Sequence, residues 1–253
     1  PEILTYVTCA RVKLQVQNRA GKTATGWGET PLSVQWVWPS TILYEEREKA
    51  LKAFTIRLAE AWEAFDEGGH PMEVGYIFQE QVLPALLDKF NKKRSATAPM
   101  PWLAALVCCS AFDIALHDAY GMVNDRPVYS TYNADFMNVD LSHFMTPVEG
   151  TDVSFTGAYP EDFFTLPRPN TLPAWHLVGG VDVINPGELT GTEPDDGYPV
   201  LLRDWIRTDG LNCLKVKLRG NDADWDYDRL VSIGKIAIEE NVDWLTTDFN
   251  CTV

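Results

Sequence analysis

Between the turn-forming Asp209-Gly210 and Gly220, apolar and charged residues alternate as Leu214-Lys215-Val216-Lys217-Leu218. Residues two apart in a strand project to the same face, so Lys215 and Lys217 point the same way. The same test sorts the rest of the chain. Residues 6–16 alternate as a strand, 18–22 supply a turn and 23–27 return as a second strand, which makes a hairpin. The segment 30–41, with Trp36, Trp38 and two prolines, has neither period and reads as a loop carrying aromatic rings, packed on the domain or facing a ligand. Over 43–65, apolar residues recur at Leu51, Phe54, Leu58, Trp62 and Phe65, while Glu45 with Lys49 and Glu48 with Lys52 form i,i+4 pairs, predicting an amphipathic helix. A further helix over 76–90 is weakened near Pro84, and 91–101 is a polar linker.

Residues 101–120 predict a mostly apolar helix that begins at a proline and ends before Gly121; its Asp113, His117 and Asp118 belong at a helix end or an interface. The stretch 134–171 is broken by Pro147, Gly150, Gly157, Pro160, Pro167 and Pro169 and reads as a long connection. Then come a strand over 172–178, a Gly/Pro-rich loop to 199 and a short helix over 200–207. A strand over 213–218, a helix over 226–240 with Leu230, Ile233 and Ala237 on one face, and a strand near 243–248 follow. The order strand, helix, strand, helix, strand predicts parallel strands joined by right-handed crossovers.

Composition bounds the function. A chain of 253 residues with 45% hydrophobic content can bury a substantial core. Thirty-six acidic against twenty-one basic residues give a formal charge of −15, which repels nucleic acid and anionic membrane and favours cations, so a metal ion is a natural partner. Five cysteines, with Cys108 and Cys109 adjacent in an apolar helical pattern, predict buried thiols in a reducing compartment, hence the cytoplasm. No leader pattern is present and no apolar stretch is expected to span a membrane. The chain opens on Pro1 and stops at Val253 just after a strand pattern, so both ends are expected to be cut.

Gly26-Trp27-Gly28-Glu29 closing a hairpin, then Ser110-Ala111-Phe112-Asp113-Ile114-Ala115-Leu116-His117-Asp118 and Arg126-Pro127-Val128-Tyr129, resemble the capping domain of the mandelate racemase and muconate-lactonising branch of the enolase superfamily. The resemblance implies an α+β capping domain over 1–133, its first strand missing, with the loop 30–41 placed as a specificity loop. A linker over 134–171 and the first three strands of a (β/α) TIM-type barrel over 172–253 would follow. If those strands begin a barrel, their carboxyl ends face the active site, with the lysine pair near that end of the second and Asp248 at that end of the third. Two charged lysines side by side repel each other, so at least one pKa is expected to fall from its reference of about 10.4 toward that of a usable base or of an amine nucleophile. Asp248 with Asn250 offers a hard anionic oxygen beside an amide, which suits Mg²⁺.

Lys-x-Lys ending one strand and Asp-x-Asn ending the next resemble the second and third barrel strands of the same superfamily. The resemblance implies that Lys217 takes the proton α to the carboxylate of a small substrate, that Lys215 supports it electrostatically, and that Asp248 is the first of three carboxylate ligands to Mg²⁺, with Asn250 as a cofactor-binding amide behind it. The metal would stabilise the enediolate. The implied activity is that of an isomerase or lyase: a racemase or epimerase, a cycloisomerase or a sugar-acid dehydratase. The remaining ligands would lie beyond Val253, and the full-length protein is expected to be a homo-oligomer. A Schiff-base aldolase and a non-catalytic partner-binding chain are the rival readings.

Overall fold

The structure, a computed structural model, describes residues 6–94 and 99–249. It is a mixed α/β chain that divides into two compact units, Pro1–Phe164 and Thr165–Val253.

The first unit is built on a hairpin. Strands β1 (Cys9–Gln17) and β2 (Thr23–Pro31) pair antiparallel, with Val12 opposite Gly28 and Leu14 opposite Gly26. Helices α1 (Val34–Val37), α2 (Tyr44–Glu63), α3 (Pro71–Ile77), α4 (Leu83–Asn91) and α5 (Trp102–Val123) follow. One face of β2 is reduced to backbone at Gly26 and Gly28, and α5 turns its small residues Ala111, Ala115 and Ala119, spaced one helical turn apart, toward it. The approach is close enough that a Cβ on Gly28 would stand 2.0 Å from the Ala111 carbonyl oxygen, and one on Gly26 would stand 2.2 Å from the Ala119 nitrogen. Between those glycines the Trp27 N–H donates to Asp118 Oδ2 at 2.8 Å, so an apolar helix carries one carboxylate that satisfies a strand amide. The core then fills with Leu51, Phe54 and Leu58 of α2, Phe78, and Leu83, Leu87 and Phe90 of α4.

Several expectations are revised. The loop 30–41 contains α1; Trp38 is buried, its carbonyl accepting from Arg47 Nη1 at 2.6 Å, whereas Trp36 is 67% exposed. The helix expected from residue 76 starts at Pro71, because His70 and Glu73 form a capping box before it. Its irregularity is a π-helical turn over Phe78–Val82, where the Leu83 N–H reaches the Phe78 carbonyl. Pro84 has no N–H to give the Glu80 carbonyl, and the helix widens just before it. Helix α5 does not end before Gly121: it runs to Val123, and Gly121 lets the returning chain approach, since a Cβ there would stand 3.0 Å from the Arg126 oxygen. At 22 residues α5 is, contrary to the sequence expectation, long and apolar enough to cross a membrane, although half of its apolar window is buried inside the fold.

Residues 134–164 belong to this first unit. Glu73 holds them, accepting from the Asn138 and Val139 backbone N–H groups and from Asn138 Nδ2.

The second unit is a sheet of three parallel strands, β3 (His176–Val178), β4 (Cys213–Lys217) and β5 (Trp244–Asp248), in the order β3-β4-β5. Helix α6 (Leu202–Asp209) connects the first pair and α7 (Ala223–Glu239) the second, as the alternating pattern predicted. Helix α6 stops at Gly210, which takes the left-handed conformation at φ 62° that ends a helix without Cβ strain. One sheet face packs Val178, Leu214 and Val216 against Leu202, Ile206, Ile233, Ile236 and Ala237 of the helices. Strand β3 is shorter than the expected 172–178, because Pro173 has no N–H for the ladder and Gly179-Gly180 ends it.

Candidate active site

The face of the parallel sheet turned away from α6 and α7 carries Lys215, Lys217 and Asp248. Strand β4 buries Leu214 and Val216 among the helices and leaves Lys215 and Lys217 half-buried on the opposite side. Register places Leu177 and Thr246 beside Lys215, and Asp248 beside Lys217. Because the strands are parallel, Lys217 and Asp248 both lie at carboxyl ends, and the ladder extends one step further through the Leu218 N–H to the Asp248 carbonyl at 2.9 Å.

Both lysines converge on one carboxylate oxygen. Lys215 Nζ lies 2.8 Å and Lys217 Nζ 2.6 Å from Asp248 Oδ2. The three side chains retain 41%, 28% and 25% exposure, so the pairs are worth more than a free surface ion pair and less than a fully desolvated one. The sequence reading set two ammonium groups against each other; the fold interposes a carboxylate, which offsets their repulsion and leaves a cluster of net charge +1. Lys215, Lys217 and Asp248 are thus brought together, while Asn250 lies outside the described residues.

Two further side chains shape this end of the sheet without having been singled out from the sequence. Asp226, 6% exposed on α7, accepts the Arg219 N–H at 2.7 Å and the Gly220 N–H at 2.8 Å, in the turn that leaves β4. Arg229, one helical turn on, donates from Nη2 to the carbonyls of Gly179 and Asp182, in the turn that leaves β3. Burial pushes the Arg229 guanidinium below its usual range, against the opposing pull of Glu188 and Asp182. The helix expected over 226–240 covers both positions, but nothing local in the sequence tied them to strand ends.

Magnesium is the ion expected at Asp248. Asp248 supplies the hard carboxylate oxygen that such an ion takes, but among the described residues no three His, Cys, Asp or Glu side chains gather into a cage. Asp248 Oδ2 is already shared by two ammonium groups, so the described residues do not by themselves form a Mg²⁺ site. In the first unit, Asp113 is not a free acid at a surface: burial raises its pKa despite the neighbouring His117, and its carboxylate fills the space beside Gly75. Compared with known protein families, with characterised proteins and with solved structures, the chain matches none.

Proposed function

We propose that the second unit carries part of the active site of an enolase-type carbon-acid enzyme, an isomerase or lyase acting on a small carboxylate, and that the first unit is its capping domain. The observation that supports this reading most directly is the register of β4 and β5, which sets Lys217 against Asp248 at neighbouring carboxyl ends with Lys215 on the same face. In a parallel sheet flanked by helices, that end is where ligands bind, and three such strands are what the beginning of a β/α barrel would contain.

In this reading Lys217, after giving its own proton to solvent, takes the proton from the carbon α to the substrate carboxylate. The ammonium so formed lies within hydrogen-bond distance of Asp248. Lys215 places a second cation beside the negative charge that develops on the enediolate oxygen, an electrostatic contribution that grows toward the transition state. Mg²⁺ is the cofactor the resemblance implies, and the described residues offer it Asp248 as one ligand; when bound it would supply Lewis-acid stabilisation of that oxygen.

Exchange of the substrate α-proton with solvent deuterium tests the assignment. Lys217→Ala is expected to lower it by about 10²–10⁴-fold, the usual contribution of a positioned base, with the far-UV circular dichroism unchanged. Exchange at the parent rate would remove Lys217 as the base. Borohydride trapping of a carbonyl substrate on Lys217 would move the site to Schiff-base chemistry. Asp248→Asn keeps the shape but exchanges a charged oxygen for a neutral amide, so it is expected to weaken Mg²⁺ binding measured calorimetrically; unchanged binding would take Asp248 out of the metal site.

A further inference from the structure

Helix α7 is joined to the sheet by more than its apolar face. Its Asp226 carboxylate spans two consecutive backbone N–H groups, those of Arg219 and Gly220, directly after the segment Lys217-Leu218. Gly220 is left-handed at φ 71°, so this turn is tight and its amides point inward to a single acceptor. Arg229 reaches across to the Gly179 and Asp182 carbonyls at 2.5 and 2.9 Å. For a buried guanidinium this is an expensive arrangement: Nε has no hydrogen-bond partner among the described residues, and neutral carbonyls satisfy Nη2. An apolar residue would fill that space at lower cost, whereas the arginine fixes the backbone of the turn between the buried Val178 and Ile184. Residues three apart on a helix share a face, so one rigid element grips the exits of both β3 and β4.

We propose that Asp226 and Arg229 are positioning residues for the lysine site: they lock the two strand exits, and through Arg219 and Gly220 they set the direction in which Lys217 leaves β4 toward Asp248. Lys217 is the last residue of β4, held on one side by the ladder and on the other by the Asp226 clasp, so loosening the clasp frees its side chain before it frees the sheet. The proposal rests on the reading of Lys217 as the reacting group, but its test does not use that reaction. Parent-rate deuterium exchange in Lys217→Ala would defeat the reading, and unchanged labelling would defeat the positioning role.

The experiment is brief acetylation of the full chain with acetic anhydride, followed by mass spectrometry of Lys217 relative to Lys13, which lies on β1 of the first unit. In Asp226→Asn one of the two clasped N–H groups faces an amide N–H₂, and in Arg229→Lys the two-carbonyl grip is lost. Each is expected to raise the Lys217 to Lys13 ratio about fivefold, as local opening exposes the amine. Asp222→Ala removes the cap of the same helix, where Asp222 accepts the Trp225 N–H at 3.1 Å, and its long 3.8 Å ion pair with the Arg219 guanidinium, but none of the hydrogen bonds of either clasp; it is expected to lower stability and leave the ratio unchanged. Should Asp226→Asn lose the circular dichroism of the fold, Arg229→Lys decides. An unchanged ratio in the folded clasp variants, or an equal rise in Asp222→Ala, overturns the proposal.

Discussion

Gly28→Ala is expected to lower the melting temperature of the first unit by about 10 °C or more, corresponding to a destabilisation above about 4 kcal/mol. Ordinary overpacking costs about 1–3 kcal/mol because side chains can rotate away. Here the added methyl would meet the Ala111 carbonyl oxygen at 2.0 Å and the Ala115 nitrogen at 2.7 Å, both backbone atoms of a hydrogen-bonded helix. Neither can yield unless α5 moves as a body, which would pull Asp118 from the Trp27 N–H and open the packing of α5 on α2 and α4. For the same reason no truncation on α5 rescues it: Ala111→Gly leaves the obstructing carbonyl in place. Gln15→Ala, an exposed change on β1, serves as the control and is expected to shift the midpoint little. Thermal unfolding followed by circular dichroism makes the comparison. A shift for Gly28→Ala no larger than that control's would mean that the hairpin and α5 separate readily.

The glycine pair also marks where sequence reasoning reached and where it stopped. Gly26-Trp27-Gly28 and the Ala111, Ala115, Ala119 series are visible as patterns, and the hairpin and long apolar helix follow from periodicity alone. That the two patterns are halves of one contact is not visible, because it depends on a strand crossing a helix from far away in the chain. The lysine site divides in the same way. Alternation places Lys215 and Lys217 on one face, and the order of strands and helices places Asp248 at the same end of the next strand. That both ammonium groups share Asp248 Oδ2 depends on register, and a slip of one residue would turn Asp248 to the helix side. Asp226 and Arg229 were the least legible, since their partners are main-chain amides and carbonyls of turns, which have no side-chain signature. The N-terminal boundary of α3 was missed because a histidine, and not serine, threonine or aspartate, caps it.

Acid is expected to loosen the first unit through that same histidine, in a window set by its burial. His70 is fully buried, its Nδ1 accepts the Met72 N–H at 3.2 Å, and its Nε2 lies 3.0 Å from Thr131 Oγ1. The Thr131 hydroxyl already donates to the Val128 carbonyl, so Nε2 carries the hydrogen and donates, leaving Nδ1 unprotonated to cap α3. A second proton would set N–H against N–H at the cap. Burial first, and then the nearby His117, push the pKa of His70 down to about 4, with Glu73 pulling the other way; Tyr120 and Tyr132 complete the cage edge-on. An unfolded histidine titrates near 6.5, so between those values the unfolded chain binds the extra proton. The stability His70 supplies is therefore complete above about pH 6.5 and is lost as pH falls toward about 4. It totals about 3 kcal/mol, of which about 2 kcal/mol is gone by pH 5. Asparagine caps helices without titrating, so His70→Asn is expected to be less stable than the parent at pH 7, from lost packing, yet to show a flatter decline toward pH 5. Urea unfolding of both proteins at pH 7 and pH 5 gives the two slopes. Equal slopes would mean that His70 takes up its proton without disturbing α3, and the acid sensitivity of this unit would then have to come from elsewhere.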